Sequence, residues 1–129
     1  MFENLNVFRM ATAMARHAGQ RQAVVAQNIA HADTPGYVTR DMPEFRETYL
    51  PQDRIGALRA TRARHLHGVL GGEAVPATYE VRDQAEPNGN QVSIETEMLR
   101  SVSAKRQHDR ALAIYKTALN VLRSSMRTN

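Results

Sequence analysis

The hydrophobic residues at the N-terminal end of the chain recur in alternating steps of three and four. Between residues 5 and 32 this spacing predicts one amphipathic α-helix of about 42 Å. The stripe is rich in alanine, so a partner helix can approach it closely. Its predicted positions are Phe8, Ala11, Ala15, Ala18, Gln22, Val25, Ile29 and Ala32. A narrow stripe of this kind is typical of a coiled-coil seam.

A second heptad-like pattern runs from Ile94 towards the C-terminus and predicts another long helix. Its predicted seam positions are Met98, Ser101, Lys105, His108, Leu112, Tyr115, Leu119, Leu122 and Met126. The middle of this stripe is polar. We therefore expect the apolar face to rotate there towards Leu99, Val102 and Ala111.

The segment between the two helical patterns lacks a long period. Pro35 and Gly36 suit the two central positions of a type II turn, which predicts that the first helix stops there. Pro43 is placed to open a short amphipathic helix that ends before Pro51. Residues 51–91 are rich in turn residues, with one short strand predicted within 77–82. The sequence thus divides into segments 1–32, 33–50, 51–91 and 92–129.

The predicted fold class is all-α, with long N- and C-terminal helices that pair as a coiled coil around a small irregular insert. The 129 residues include no Trp, three Phe and four Tyr, so large side chains for a core are scarce. Alanine buries little area per residue. We therefore expect the protein to depend on partner subunits for part of its stability.

The net positive charge is concentrated in the two helical segments. Residues 5–32 contain three arginines and no acid, and residues 93–129 contain seven bases and three acids. This distribution raises the alternative of a basic helical nucleic-acid-binding protein. Aromatic residues do not interleave with the basic ones, however, and no recognised nucleic-acid module is present. We therefore do not expect nucleic acid to be the partner.

The sequence offers no arrangement of residues that is typical of catalysis or metal binding. It has no cysteine, which excludes disulfides and thiolate sites. His65 and His67 lack a nearby third ligand, and no nucleophile stands with a base. We expect no catalytic residue, metal, cofactor or small-molecule substrate. No apolar run is long enough to span a membrane, and no cleavable signal peptide is predicted.

The most informative stretch is residues 28–37, which read NIAHADTPGY. It resembles the signature of the rod and hook family of bacterial flagellar axial proteins, close to N-(I/L)-A-N-x-x-T-P-G-Y. His31 stands where the family usually has Asn. Arg40-Asp41 resembles an R-D continuation in the proximal rod branch, and we interpret this pair as a solvated or inter-subunit contact. The resemblance assigns an assembly motif to Asn28, Ile29, Ala30, Thr34, Pro35, Gly36, Tyr37, Arg40 and Asp41.

A second element, NGNQVSIETEM at residues 88–98, resembles the opening of the C-terminal helix in the same branch. The resemblance implies a structural subunit of the proximal rod that links the membrane ring to the distal rod and transmits torque. It implies partners among other rod proteins, the membrane-ring protein and the export-gate adaptor, together with copies of the chain in a helical assembly. It also implies location in the periplasmic rod after type III export without a cleaved signal.

Overall fold

A computed structural model describes residues 2–49, 77–82 and 91–127, with residues 2–4 described by their backbone alone. Two long helices dominate these residues, and one short helix and two short strands lie between them. The elements are α1 (Phe2–Ala30), β1 (Arg40–Asp41), α2 (Phe45–Thr48), β2 (Tyr79–Glu80) and α3 (Ile94–Arg127). The predicted fold class is confirmed, because the two long helices pack against each other beside a small insert.

Helices α1 and α3 run antiparallel. Contacts between them pair early residues of α1 with late residues of α3, and late residues of α1 with early ones of α3. These contacts are Phe8 with Tyr115, His17 with Gln107, Gln22 with Ser101, and Asn28 with Glu97. The register stays constant along the pair, which places the first turn of α3 beside the last turn of α1.

The seam between the two helices is built mainly from alanine. Ala11 and Ala18 of α1 and Ala104 and Ala111 of α3 are each 1% exposed, as is Val25. These residues repeat every seven positions, which is the period of a left-handed coiled coil. Small side chains at these positions let the two backbones approach closely, so the pair is held by short-range packing along its length.

The predicted seam differs from the structure in part: Ala11, Ala18, Val25 and Ala32 are all buried as predicted, whereas other predicted positions lie outside the contact between the helices. Ala18 and Val25 are buried, and Phe8, Ala15, Leu119 and Leu122 are half-buried. In contrast, the side chains of Ile29, Met98, Leu112 and Met126 are exposed, with Met98 at 61% and Met126 at 70%. Tyr115 is 39% exposed, but its ring packs on Phe8 across the helix pair. Leu99 and Val102, towards which the apolar face was expected to rotate, are exposed as well.

The error has a physical cause, because polar side chains occupy seam positions. On α3 the buried residues are Glu97, Ala104 and Ala111, each one position before the predicted Met98, Lys105 and Leu112. On α1 the alternate inward positions include Arg21 and Asn28, again one position before the predicted residues. A hydrophobic period assigns polar residues to the outside, so it selected Ile29 over Asn28 and Met98 over Glu97, and these positions of the seam were placed one residue too late.

The alanine seam leads to a test of overpacking. Replacing Ala104 with Leu is expected to lower the free energy of unfolding by about 1–3 kcal/mol, because the larger side chain must push the helices apart. The matched control is Ala113→Leu on the exposed side of the same helix, which is expected to change it by less than about 0.5 kcal/mol. Urea unfolding followed by circular dichroism measures both; equal effects would contradict the assigned seam.

The short elements attach the connecting segment to the helix pair. Strands β1 and β2 pair antiparallel, with Arg40 opposite Glu80 and Asp41 opposite Tyr79. The predicted strand is present at β2, whereas β1 was not predicted. Ser93 accepts a bond from the backbone N–H of Thr96 at 3.4 Å and so caps α3. Within the described residues, no helix has the length and apolarity needed to cross a membrane.

The predicted division into four segments remains a prediction. Most of the loop-rich insert at residues 51–91, including His65 and His67, lies outside the described residues.

Candidate functional site

The stretch that closes α1 forms two consecutive tight turns. The backbone N–H of Thr34 donates to His31 O at 2.9 Å, and that of Tyr37 donates to Thr34 O at 3.2 Å. Pro35 and Gly36 occupy the central positions of the second turn. Gly36 has a φ of 77°, the positive value that a Pro-Gly type II turn requires. The chain therefore reverses at once and brings Tyr37 back towards α1.

His31 takes two roles at this reversal. Its Nδ1 lies 2.8 Å from Gln27 O, and since a carbonyl only accepts, Nδ1 donates the bond. The imidazole is therefore a second donor to this carbonyl, which also accepts the backbone N–H of His31 at 3.1 Å. Its ring also stacks on Tyr37, with centroids 4.6 Å apart and planes 12° apart. His31 thus adds a side-chain bond to the last turn of α1 and stacks on the aromatic ring of Tyr37.

Asn28 is the centre of the site and is fully buried. Its Nδ2 donates to Arg40 O at 2.6 Å and to Glu97 Oε2 at 3.0 Å. Its Oδ1 accepts from the backbone N–H of Arg40 and from the hydroxyl of Tyr37, each at 3.1 Å. All four hydrogen-bonding positions of the amide are therefore used. One side chain joins α1, the turn, β1 and α3.

The fully buried carboxylate of Glu97 continues the network. Its Oε1 accepts a bond from Arg100, one turn further along α3. Arg100 Nε also lies 3.6 Å from Asp41 Oδ2. Asp41 in turn accepts two bonds from Arg21, at 3.0 and 2.9 Å, in a bidentate pair. Two carboxylates and two guanidiniums thus alternate, so their formal charges balance.

The position of Asp41 corrects a prediction from the sequence. We interpreted Arg40-Asp41 as a solvated or inter-subunit pair, but Asp41 is buried and its partners are Arg21 and Arg100 of the same chain. It also accepts the backbone N–H of Met42 at 2.7 Å. The side chain of Arg40 is exposed, and its backbone makes the contacts with Asn28. The two neighbours therefore face opposite environments, as strand geometry requires.

The carboxylate of Asp41 raises the pKa of Arg21 above its ordinary value, chiefly through the hydrogen bond, although burial of the guanidinium opposes the shift. A pKa that rises on folding adds stability below the unfolded value, and this is lost only as the pH rises through the folded one. The ordinary arginine pKa is already strongly alkaline. The contribution of Arg21 is therefore constant throughout the neutral range.

A second set of contacts fixes the chain after β1. His17 is buried in α1, and its Nε2 donates to Pro43 O at 2.9 Å. Its Nδ1 then accepts from Gln107 Nε2 of α3 at 3.3 Å. The ring also meets Phe45 of α2 edge to face, with centroids 5.6 Å apart. Thr39 completes the set by donating to Gln91 O at 2.7 Å.

The structure brings together only part of the predicted assembly motif. Asn28, Tyr37, Asp41 and the backbone of Arg40 meet in one buried junction, with Gly36 shaping the turn. Ile29, Ala30, Thr34 and Pro35 have exposed side chains. Residues that the sequence analysis did not assign to the site are Arg21, Glu97, Arg100 and His17. We call the group Arg21, Asn28, Asp41, Glu97 and Arg100 the polar junction.

The residues of the polar junction have a structural role, because they hold separate elements of the fold together. Its carboxylates and guanidiniums are engaged with one another, and paired buried charges fix geometry between elements. Among the described residues there is no group of three His, Asp or Glu side chains that could hold a metal ion. What the arrangement can do is hold α1, the turn and α3 in a single relative position.

The turn gives a second test. Replacing Gly36 with Val is expected to lower the free energy of unfolding by about 1–2 kcal/mol, because a β-branched residue resists a φ of 77°. A Cβ at this position meets nothing within 4 Å, so the cost is confined to the backbone. Gly36→Asn is expected to cost less, since Asn tolerates positive φ.

The control for the turn is Gly19→Ala in the interior of α1, where an added Cβ also meets nothing within 4 Å. It is expected to raise stability by up to about 1 kcal/mol. Urea unfolding measures the stability of Gly36→Val, Gly36→Asn and Gly19→Ala against the parent. A Gly36→Val protein as stable as the parent would contradict the assigned type II turn.

Comparison with known proteins gives consistent relatives. The flagellar basal body rod protein FlgB of Escherichia coli K12 is 32% identical over 116 residues, covering 81% of this chain and 84% of that protein. FlgB of Salmonella typhimurium is 32% identical over 114 residues, covering 80% and 83%. FlgB of Agrobacterium fabrum is 28% identical over 120 residues, covering 88% and 87%. No family model matches the chain.

Proposed function

This chain belongs to the FlgB family of flagellar basal body rod proteins, and from that premise we propose how its fold serves the rod. It is a structural subunit of the proximal rod of the flagellar basal body and contributes to motility. The observation that carries this conclusion is the similarity over more than four fifths of both chains. The alternative of a nucleic-acid-binding protein has no support.

The fold suits a subunit of a tubular assembly better than a self-contained globule. One face of each long helix packs on its partner, while large apolar side chains such as Ile94, Met98 and Leu112 stay exposed. Exposed apolar surface of this kind marks sites of protein contact. A head-to-tail contact whose rotation does not close generates an open helix of subunits. Copies of the chain and other rod proteins are the partners proposed for these faces.

The assembly motif has a proposed mechanical role. The polar junction fixes the end of α1 against the start of α3, so a load applied to one helix passes to the other through charged hydrogen bonds. The exposed motif residues Ile29, Ala30, Thr34 and Pro35 lie on the outer surface of the same end. They are placed to contact a neighbouring subunit. In this way the subunit links the membrane ring to the distal rod and transmits torque.

The membrane-ring protein and the export-gate adaptor are proposed as further partners at the base of the rod. We also propose that the chain reaches the periplasm through the flagellar type III apparatus, without cleavage of a signal. Family membership supports both proposals. The activity assigned to the chain is structural, and its junction residues act by holding elements together.

Deletion and complementation test the function. A flagellated strain that lacks this gene is expected to be non-motile and to yield basal bodies without the distal rod and hook. A plasmid copy is expected to restore both, and the chain is expected to co-purify with the restored basal bodies. A density map of the two preparations should differ at the proximal rod. Normal rods in the deletion strain would contradict the proposal.

A further inference from the structure

A groove of about 400 Å³ lies between the short helix α2 and the two long helices. Its apolar lining includes Met14 of α1 and Phe45 of α2, both half-buried. Three arginines stand around this lining: Arg46 of α2, and Arg106 and Arg110 of α3. All three are exposed. The groove therefore combines an apolar floor with a positively charged rim.

The positive charge of the rim is not neutralised within the described part of the chain. No carboxylate there pairs with Arg46, Arg106 or Arg110, although Arg21 in the same lining is paired with Asp41. Glu44 is the single acid among the described lining residues. Surface arginines often remain solvated. Three around one concave surface nonetheless form a local field that attracts carboxylates.

The basic rim continues into an exposed apolar surface along α3. Leu99 precedes Arg106 by seven residues, and Val102 precedes it by four, so all three lie on the same side of the helix. Leu99 is 71% exposed and Val102 is 55% exposed. Arg110 extends the surface by one further turn. We call Leu99, Val102, Arg106, Arg110 and Arg46 the outer face.

We propose that the outer face binds an acidic amphipathic helix of a different rod protein. Apolar residues of that helix cover Leu99 and Val102, and its carboxylates lie against Arg106, Arg110 and Arg46. A helix of this chemistry satisfies both halves of the surface, as in other complexes where a helix lies in an apolar groove. The inference rests on the proposed role in the rod and adds the chemistry of one partner.

Charge argues for a different protein and against another copy of the chain. The outer face carries three arginines, so the same face of a second copy would set arginine against arginine, and the surface that covers this face must be negatively charged where it meets them. The exposed Leu99 and Val102 argue against nucleic acid, since phosphates gain nothing from aliphatic side chains. Phe45 is half-buried and is not available for base stacking.

The test reverses the charge of the rim in the full chain. Arg106→Glu combined with Arg110→Glu is expected to reduce the amount of chain in purified basal bodies about tenfold, because carboxylates then face carboxylates. Arg106→Lys with Arg110→Lys keeps the charge and is expected to incorporate normally. The matched control is Lys116→Glu with Arg123→Glu, two exposed bases on another side of α3, and it is also expected to incorporate normally.

A photocrosslinking residue placed at Ser103, which lines the groove, identifies the occupant in assembled rods. The proposal predicts a crosslink to an acidic helical segment of another rod protein, which is lost in the Arg106→Glu, Arg110→Glu variant. Crosslinks only between copies of this chain would overturn it. Normal incorporation of the charge-reversed variant would also overturn it. So would DNA binding by the wild-type chain that the charge reversal abolishes without reducing incorporation. Absence of the wild-type chain from basal bodies would instead contradict the proposed function.

Discussion

Replacing Asn28 with Ala is expected to lower the free energy of unfolding by about 3–4 kcal/mol, one of the two largest effects expected in the polar junction. The substitution removes four hydrogen bonds at once. It leaves the N–H and C=O of Arg40, the hydroxyl of Tyr37 and one oxygen of Glu97 without that partner. Because Asn28 and Glu97 are fully buried, water cannot readily replace the lost hydrogen bonds, and the groups left unpaired destabilise the folded state.

Thermal and urea unfolding of the purified chain measure the loss, and incorporation into basal bodies reports its consequence. Gln27→Ala is the matched control, since Gln27 is exposed and precedes Asn28 on the same helix. Asn28→Asp keeps the shape but sets a second carboxylate beside Glu97, so it is expected to be at least as damaging. Adding Glu97→Gln to Asn28→Asp should recover part of the stability, because an amide then donates to the new acid. An Asn28→Ala chain as stable as the Gln27→Ala control would disprove the central role of Asn28.

Replacing Asp41 with Ala is the second large effect, with an expected loss of about 3–5 kcal/mol. The carboxylate of Asp41 is the shared partner of Arg21 and Arg100, whose side chains are only 15% and 16% exposed. Its removal leaves two guanidiniums poorly solvated and without their bridging anion. The backbone N–H of Met42 also loses its acceptor.

An exposed ion pair on α3 is the control for Asp41. Asp109 and Lys105 lie 3.2 Å apart with their side chains 59% and 76% exposed. Asp109→Ala is therefore expected to cost less than about 0.5 kcal/mol. Urea unfolding of the two variants should separate them clearly. Similar losses for Asp41→Ala and Asp109→Ala would mean that the junction contributes no more than a surface pair.

The two long helices and the end of the first one could be predicted from the sequence, because the residues that determine them lie close together along the chain. Period and length predict two long helices, and Pro35-Gly36 predicts where the first one ends. The phase of the seam was not accessible in the same way. Met98 is apolar and Glu97 is charged, so a hydrophobic period selects Met98, although the structure buries Glu97. The reason lies 69 positions away, at Asn28, where no local pattern can show it.

Asp41 is a second residue whose burial the sequence did not predict. A charged residue beside Arg40 in a turn-rich segment is expected to be solvated. Its burial depends on Arg21, 20 positions earlier, and on Arg100 from the opposite end of the chain. Strand β1 was missed for a related reason, since two residues pair only because β2 lies beside them.

The contacts of Asn28 also imply an order of folding. Its partners Tyr37 and Arg40 are 9 and 12 positions away, whereas Glu97 is 69 positions away. Closing the longer loop costs about 1.5 kcal/mol more chain entropy than closing a 12-residue loop. We therefore expect the last turn of α1 and the tight turns that follow it to form first. Helix α3 then packs against a surface on which Asn28 is already placed to donate to Glu97, and this packing completes the fold of the subunit.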